Sequence, residues 1–105
     1  MFTRNVTSKL KANSAPEFTR LIQNEILALF RKQKGFIDEI LFVAPERSEA
    51  LVISFWDTKE DAEAYGRTGF PEALKIMSKV YEGTPKVETF EVTHSTFQKM
   101  AAKGV

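Results

Sequence analysis

Ser54-Phe-Trp-Asp-Thr-Lys-Glu-Asp-Ala-Glu-Ala-Tyr65 decides how this chain is read. Its first residues close an apolar run that begins at Ala50, and β-branched and aromatic residues in such a run favour a strand over residues 50–56. The remainder opens a helix. Asp57 or Thr58 supplies the cap, and Glu60 and Asp61 complement the positive end of the helix dipole. The join brings Trp56, Tyr65 and Arg67 close together in sequence, three side chains of types that suit a pocket.

Upstream, residues 2–10 alternate in part and are rich in Thr, Val and Ser, which predicts a first strand. Ser14 with Glu17 matches a capping box, and Pro16 suits a first helical turn. Phe18, Leu21, Ile22, Ile26, Leu29 and Phe30 then recur at helical spacing up to the stop signal at Gly35. The basic run Arg31-Lys-Gln-Lys34 complements the dipole at that helix end. Residues 36–44 read as a second strand, joined to the third by the turn Pro45-Glu-Arg-Ser-Glu49 in an antiparallel hairpin. Downstream, the helix after Thr58 breaks at Gly66 to Gly69 and resumes at Phe70-Pro71 with Leu74, Met77, Val80 and Tyr81 on its stripe. Gly83 and Pro85 read as its end, and residues 86–94 as a fourth strand. The order strand, helix, strand, strand, helix, strand predicts an α+β, ferredoxin-like βαββαβ fold: a four-stranded antiparallel sheet with two helical segments on one face. Residues 1–105 are expected to form one domain, with 95–105 a polar tail anchored by Phe97 and Met100.

Composition narrows the function classes. Fifteen basic against 14 acidic residues leave a net charge of +1, too little to steer nucleic acid or an anionic membrane. The chain has no Cys, which removes disulfides, thiolate nucleophiles and Cys-ligated metals. No signal peptide or membrane span is visible, so a cytoplasmic protein is expected. There is no Gly-rich phosphate loop and no metal-ligand spacing, and a single His, His94, cannot build a multi-His metal site.

Both faces of the central strands are apolar. The third strand carries Leu51, Ile53 and Phe55 on one side and Val52 and Trp56 on the other. The second alternates Phe36, Ile40 and Phe42 with Ile37, Leu41 and Val43, interrupted by Asp38 and Glu39. Helices on one face leave the other uncovered, and an open apolar sheet of roughly several hundred Å² is a liability for a monomer. A twofold homodimer with sheets packed face to face is the simplest expectation; a tail folded over that face is the other.

Gly35-Phe36, the stretch 54–65, Phe70-Pro-Glu-Ala-Leu74 and Val87-Glu-Thr-Phe-Glu-Val92 resemble the antibiotic biosynthesis monooxygenase family of the dimeric α/β-barrel superfamily. The resemblance implies a dimeric α/β barrel and a pocket between helices and sheet. It implies no cofactor for the branch of monooxygenases that act on polycyclic phenols. Its motifs are mostly strand ends, caps and core positions, which specify fold more than activity.

Within that resemblance, Trp56 matches the family's Trp at the end of the third strand. There it stacks on a flat substrate or donates through its indole N–H; a core plug at the strand–helix join is the reading the residues themselves favour. Tyr65 stands at the spacing where haem-degrading relatives carry a Trp. The His that ligates iron in that branch corresponds to Lys75, a poor iron ligand, so haem degradation is not implied. Active branches direct an Asn of the first strand into the pocket. Asn5 fits that role, although alignment through the first helix points to Thr7, and the two share one strand face. An Asn found in some members on the third strand is replaced here by the apolar Leu51-Val52-Ile53. Arg67 is a candidate for an acidic substrate group, and a solvated loop residue otherwise. His94, with Glu88 and Glu91 nearby in sequence, reads as a solvated strand-end residue.

Two functions follow. The first is a cofactor-independent monooxygenase acting on a small hydrophobic aromatic or polyketide-like molecule. Asn5, Trp56 and Tyr65 are its candidate catalytic residues, and Thr7, Phe18, Ile22, Arg67, Phe70, Leu74 and Met77 its candidate substrate contacts. The second is a non-catalytic dimeric module that binds a small ligand or a partner protein. The expected partners are a second copy of the chain and a small hydrophobic ligand, with no nucleic acid, membrane or metal.

Overall fold

The computed structural model describes residues 1–97. Its four strands are β1 (Phe2–Leu10), β2 (Phe36–Ala44), β3 (Glu49–Trp56) and β4 (Tyr81–Glu91). All pair antiparallel, in the order β2-β3-β1-β4. Between β1 and β2 run α1 (Ala15–Leu21), a π-helical stretch (Ile22–Ile26) and α2 (Leu27–Arg31); between β3 and β4 run α3 (Lys59–Arg67) and α4 (Gly69–Met77). This is the expected ferredoxin-like α+β arrangement. No helix among the described residues is long and apolar enough to cross a membrane.

Strand register sorts every sheet residue onto one of two faces, because paired residues point the same way. On the helix side lie the rows Phe36–Trp56–Phe2–Glu91, Glu39–Ser54–Arg4–Thr89 and Leu41–Val52–Val6–Val87. On the open side lie Asp38–Phe55–Thr3–Phe90, Ile40–Ile53–Asn5–Glu88 and Phe42–Leu51–Thr7–Lys86. The core forms where Phe18, Leu21, Ile22, Ile26 and Phe30 of the first helical run meet Ala50, Val52 and Trp56 of β3 and Ala73 and Met77 of α4.

Three local expectations change. A bulge between Phe36 and Asp38 moves Phe36 onto the core side with Leu41 and Val43, where strict alternation places it with Ile40 and Phe42. Ser14 caps α1 through its backbone carbonyl, which accepts from the Phe18 N–H, and makes no side-chain cap bond; Glu17 pairs instead with Arg20. Gly83 and Pro85 do not end a helix. They lie inside β4, which starts at Tyr81 and stops at Glu91, and they accompany a register shift against β1 where a strand tolerates both residues. The tail from Val92 borders a hollow with Phe55 and Phe97; Met100 lies outside the described residues.

Two joins hold the helices in place. Thr58 is the cap of α3, its hydroxyl accepting from the Asp61 N–H at 3.0 Å. Gly35 turns the chain into β2 with φ 81°, and its carbonyl accepts from the Asp57 N–H at 2.8 Å. A Cβ at Gly35 would come within 2.1 Å of Asp61 Oδ2, so close approach and left-handed backbone both demand glycine there.

Candidate active site

Trp56 is fully buried at the end of β3, and Tyr65, two turns into α3, lies flat against it with ring centroids 5.1 Å apart. Phe30 and Phe36 complete the aromatic cluster at 6.1 and 5.6 Å from the Trp56 ring. The Trp56 indole N–H donates to Ser54 Oγ at 2.9 Å, so its polar atom is satisfied inside the protein. Burial pushes the Tyr65 phenol well above its ordinary pKa, with Arg4 partly opposing, and leaves it a neutral hydroxyl across the physiological range.

Beside Tyr65 a small cavity separates helices from sheet. Ile22, Ile26, Phe30, Phe70, Leu74 and Met77 supply most of its apolar wall, and Ser54, Tyr65 and Tyr81 its hydroxyls. A water-sized sphere has about 20 Å³ of free space there, room for about one water. Ile22 and Ile26 lie in the π-helical stretch, where the Leu27 N–H donates back to the Ile22 carbonyl. Such insertions widen one helical turn and recur at functional sites.

The most unusual residue of this region is a buried cation that residue type alone does not mark. Arg4 is only 7% exposed, on the helix face of β1. Its guanidinium lies 4.8 Å from the Phe70 ring centroid and 5.5 Å from that of Tyr65. Burial lowers its pKa, with Tyr65 partly offsetting; a guanidinium nonetheless stays protonated. Its Nε has no hydrogen-bond partner among the described residues. The break between α3 and α4 makes room for this cluster: a Cβ at Gly66 would meet Arg4 Nη1 at 2.6 Å, and one at Gly69 would meet the Tyr65 ring at 2.6 Å. The available signal was parity, since Arg4 shares its strand face with Val6 and Leu10.

Of the residues expected at the site, Trp56, Tyr65, Ile22, Phe70, Leu74 and Met77 come together. Phe18 is buried nearby against Tyr81 and does not wall the cavity. Asn5 and Thr7 do share a face, but it is the open one: Asn5 lies between Ile53 and Glu88 and accepts from the Thr3 hydroxyl at 2.8 Å. They therefore do not join Trp56 and Tyr65. Arg67 is exposed at the end of α3, and Lys75 and His94 are exposed as well. No group of three or more His, Asp or Glu side chains among the described residues is placed to hold a metal ion.

Solved structures share this architecture. A protein of unknown function from Nitrosomonas europaea superposes with a TM-score of 0.75 at 14% identity, covering 91% of this chain and 92% of that one. A monooxygenase of Streptomyces coelicolor in complex with nanaomycin D gives 0.74 at 14% identity, covering 91% and 90%. SnoaB, a cofactor-independent oxygenase from Streptomyces nogalater, gives 0.68 at 16% identity, covering 92% and 97%. At these identities the likeness is one of fold. No curated protein matches the sequence. The profile of the family described as antibiotic biosynthesis monooxygenase matches residues 1–77 of the 105, from β1 through the last residue of α4. The chain therefore belongs to the antibiotic biosynthesis monooxygenase family.

Proposed function

We propose that this protein is a cofactor-independent monooxygenase that takes a small hydrophobic aromatic or polyketide-like molecule between its helices and sheet. The observation that carries this reading is the aromatic pocket wall of Tyr65 and Phe70, backed by Trp56 and by the buried cation of Arg4. In such a reaction a hydroxylated ring itself supplies the electrons that reduce dioxygen. One oxygen atom enters the ring and the other leaves as water. The chain's part is to stack the ring on aromatic surfaces, exclude bulk water and stabilise charge on the substrate. The relatives that bind nanaomycin D or act without a cofactor support the choice of chemistry. With room for about one water, the cavity must widen to admit a ring, and the π-helical stretch and the Gly66 to Gly69 break are the elements placed to yield.

Two copies are proposed to meet through the open sheet face, closing the α/β barrel. Phe42 and Phe90 there are 50% and 51% exposed, beside partly buried Ile40, Leu51 and Ile53. Asn5 and Thr7 then belong to the subunit contact. A non-catalytic ligand-binding module is the second reading, favoured by how nearly Phe30, Phe70 and Met77 fill the cavity. Oxygen consumption and thermal stabilisation, measured together over a panel of hydroxylated aromatics, separate the two. Stabilisation with oxygen uptake supports the enzyme, and stabilisation without uptake supports the module. No stabilisation by any compound removes both.

A further inference from the structure

The geometry points to Arg4 as an anion-binding group, so that the pocket takes a planar aromatic ligand bearing an anionic oxygen, a carboxylate or a phenolate. This rests on the reading of the helix–sheet cavity as a ligand pocket and names the class of ligand it takes. Arg4 is 7% exposed, its Nε is unpartnered, and no carboxylate of a described residue lies within ion-pair distance of it. The nearest candidate in its own row, Glu39, stands two strands away with its Oε2 also buried and unpartnered. A buried charge left without a counter-ion opposes folding, and contact with two aromatic faces offsets that only in part. A bound anion supplies what is missing, because a guanidinium offers a forked set of donors to two oxygens of one group.

The surroundings suit an aromatic body attached to that anion. Arg4 is not itself a wall of the cavity; it lies over the Phe70 and Tyr65 rings that are. Phe70 is only partly buried, at the start of α4 directly after Gly69, and its displacement opens a path from the cavity to the guanidinium. A ligand ring that takes its place stacks against Tyr65 and leaves its anionic oxygen at Arg4. The apolar wall of Ile22, Ile26 and Met77 rejects a second charge.

Calorimetric titration with shape-matched pairs tests the assignment: 1-naphthoate against 1-naphthamide, and 4-nitrophenolate against 4-nitroanisole. The wild-type protein is expected to bind at least one anion about tenfold or more tightly than its neutral partner, as hydrogen bonds to a buried charge imply. The pair that shows the preference identifies carboxylate or phenolate. Arg4→Met is expected to abolish the preference while leaving the neutral compound's affinity within about threefold, and Arg4→Lys to retain part of it. Equal binding of anion and neutral by the wild type overturns the Arg4 assignment and leaves the pocket standing, whether or not the variants fold. A preference that survives in a folded Arg4→Met overturns it too. Failure of every compound to bind removes both the assignment and the pocket.

Discussion

On the helix side of the sheet, Trp56 is fully buried between Phe36 and Phe2; one residue away along β3, Phe55 sits between Asp38 and Thr3 on the open side. The two faces are built from similar residue types, and their difference lies in what covers them. Helical residues close over the first face and leave a cavity for about one water. The second face keeps Phe42 and Phe90 half-exposed; Phe55, beside the segment that follows β4, and its neighbour Thr3 are buried. Apolar alternation therefore marks where a strand needs cover without saying whether its own helices or another molecule supplies it.

Truncation on the helix side is expected to have the largest consequence. Trp56→Ala empties a site packed by Phe30, Phe36 and Tyr65, and denaturant unfolding is expected to show a loss of about 3–5 kcal/mol. A loss under about 1 kcal/mol would mean the helix side is not the tightly packed face. Gly35→Ala tests the turn that seats the helix side, because a Cβ there meets Asp61 and the residue has φ 81°. A destabilisation of about 1–3 kcal/mol is expected in the same assay, and a neutral result would show that the turn relaxes freely.

The open face responds differently. Phe42→Lys should leave the unfolding free energy of a single subunit within about 0.5 kcal/mol. Sedimentation should show the dimer dissociation constant raised by about tenfold or more. A wild-type protein that sediments only as monomer at micromolar concentration would remove the face-to-face pairing altogether.

The smallest effect concerns Glu39, a carboxylate in the helix-side row. Burial, and then Asp38, hold its carboxyl above the usual carboxylate range. Its neutral form is favoured by folding, so this contribution to stability is fully present below the unfolded pKa and is lost as pH rises through the raised folded value. Glu39→Gln is expected to raise Tm at pH 7, with the gain fading below about pH 4. A gain that stays constant into acid would assign the effect to shape, not charge.

The site was legible in part, and strand parity explains the division. Phe70, Leu74 and Met77 follow from helical spacing, whose stripe faces the cavity, whereas Tyr65 follows from the resemblance and its closeness to Trp56. Asn5 and Thr7 drew attention by residue type, yet alternation from buried Val6 and Leu10 sends them to the open face and sends Arg4 inward. A basic residue in a strand next to polar ones looks like surface when read alone. Phe36 was misplaced for a different reason: a bulge adds a residue and reverses parity beyond it, with no local marker in Phe36-Ile37-Asp38.

Strand and helix periodicity, the Thr58 cap and the turn at Gly35 follow from the sequence alone, because each depends on neighbours within a few residues. The order β2-β3-β1-β4, the bulge that carries Phe36 inward and the meeting of Arg4 with Tyr65 and Phe70 do not. These bring together residues as far apart in sequence as Phe2 and Glu91, and such pairings are settled by which apolar surfaces close on each other once the chain collapses. The join from Ser54 to Tyr65 belongs to both kinds: its strand, cap and helix are local, whereas the contact of Trp56 with Tyr65 over a buried guanidinium exists only in the folded sheet.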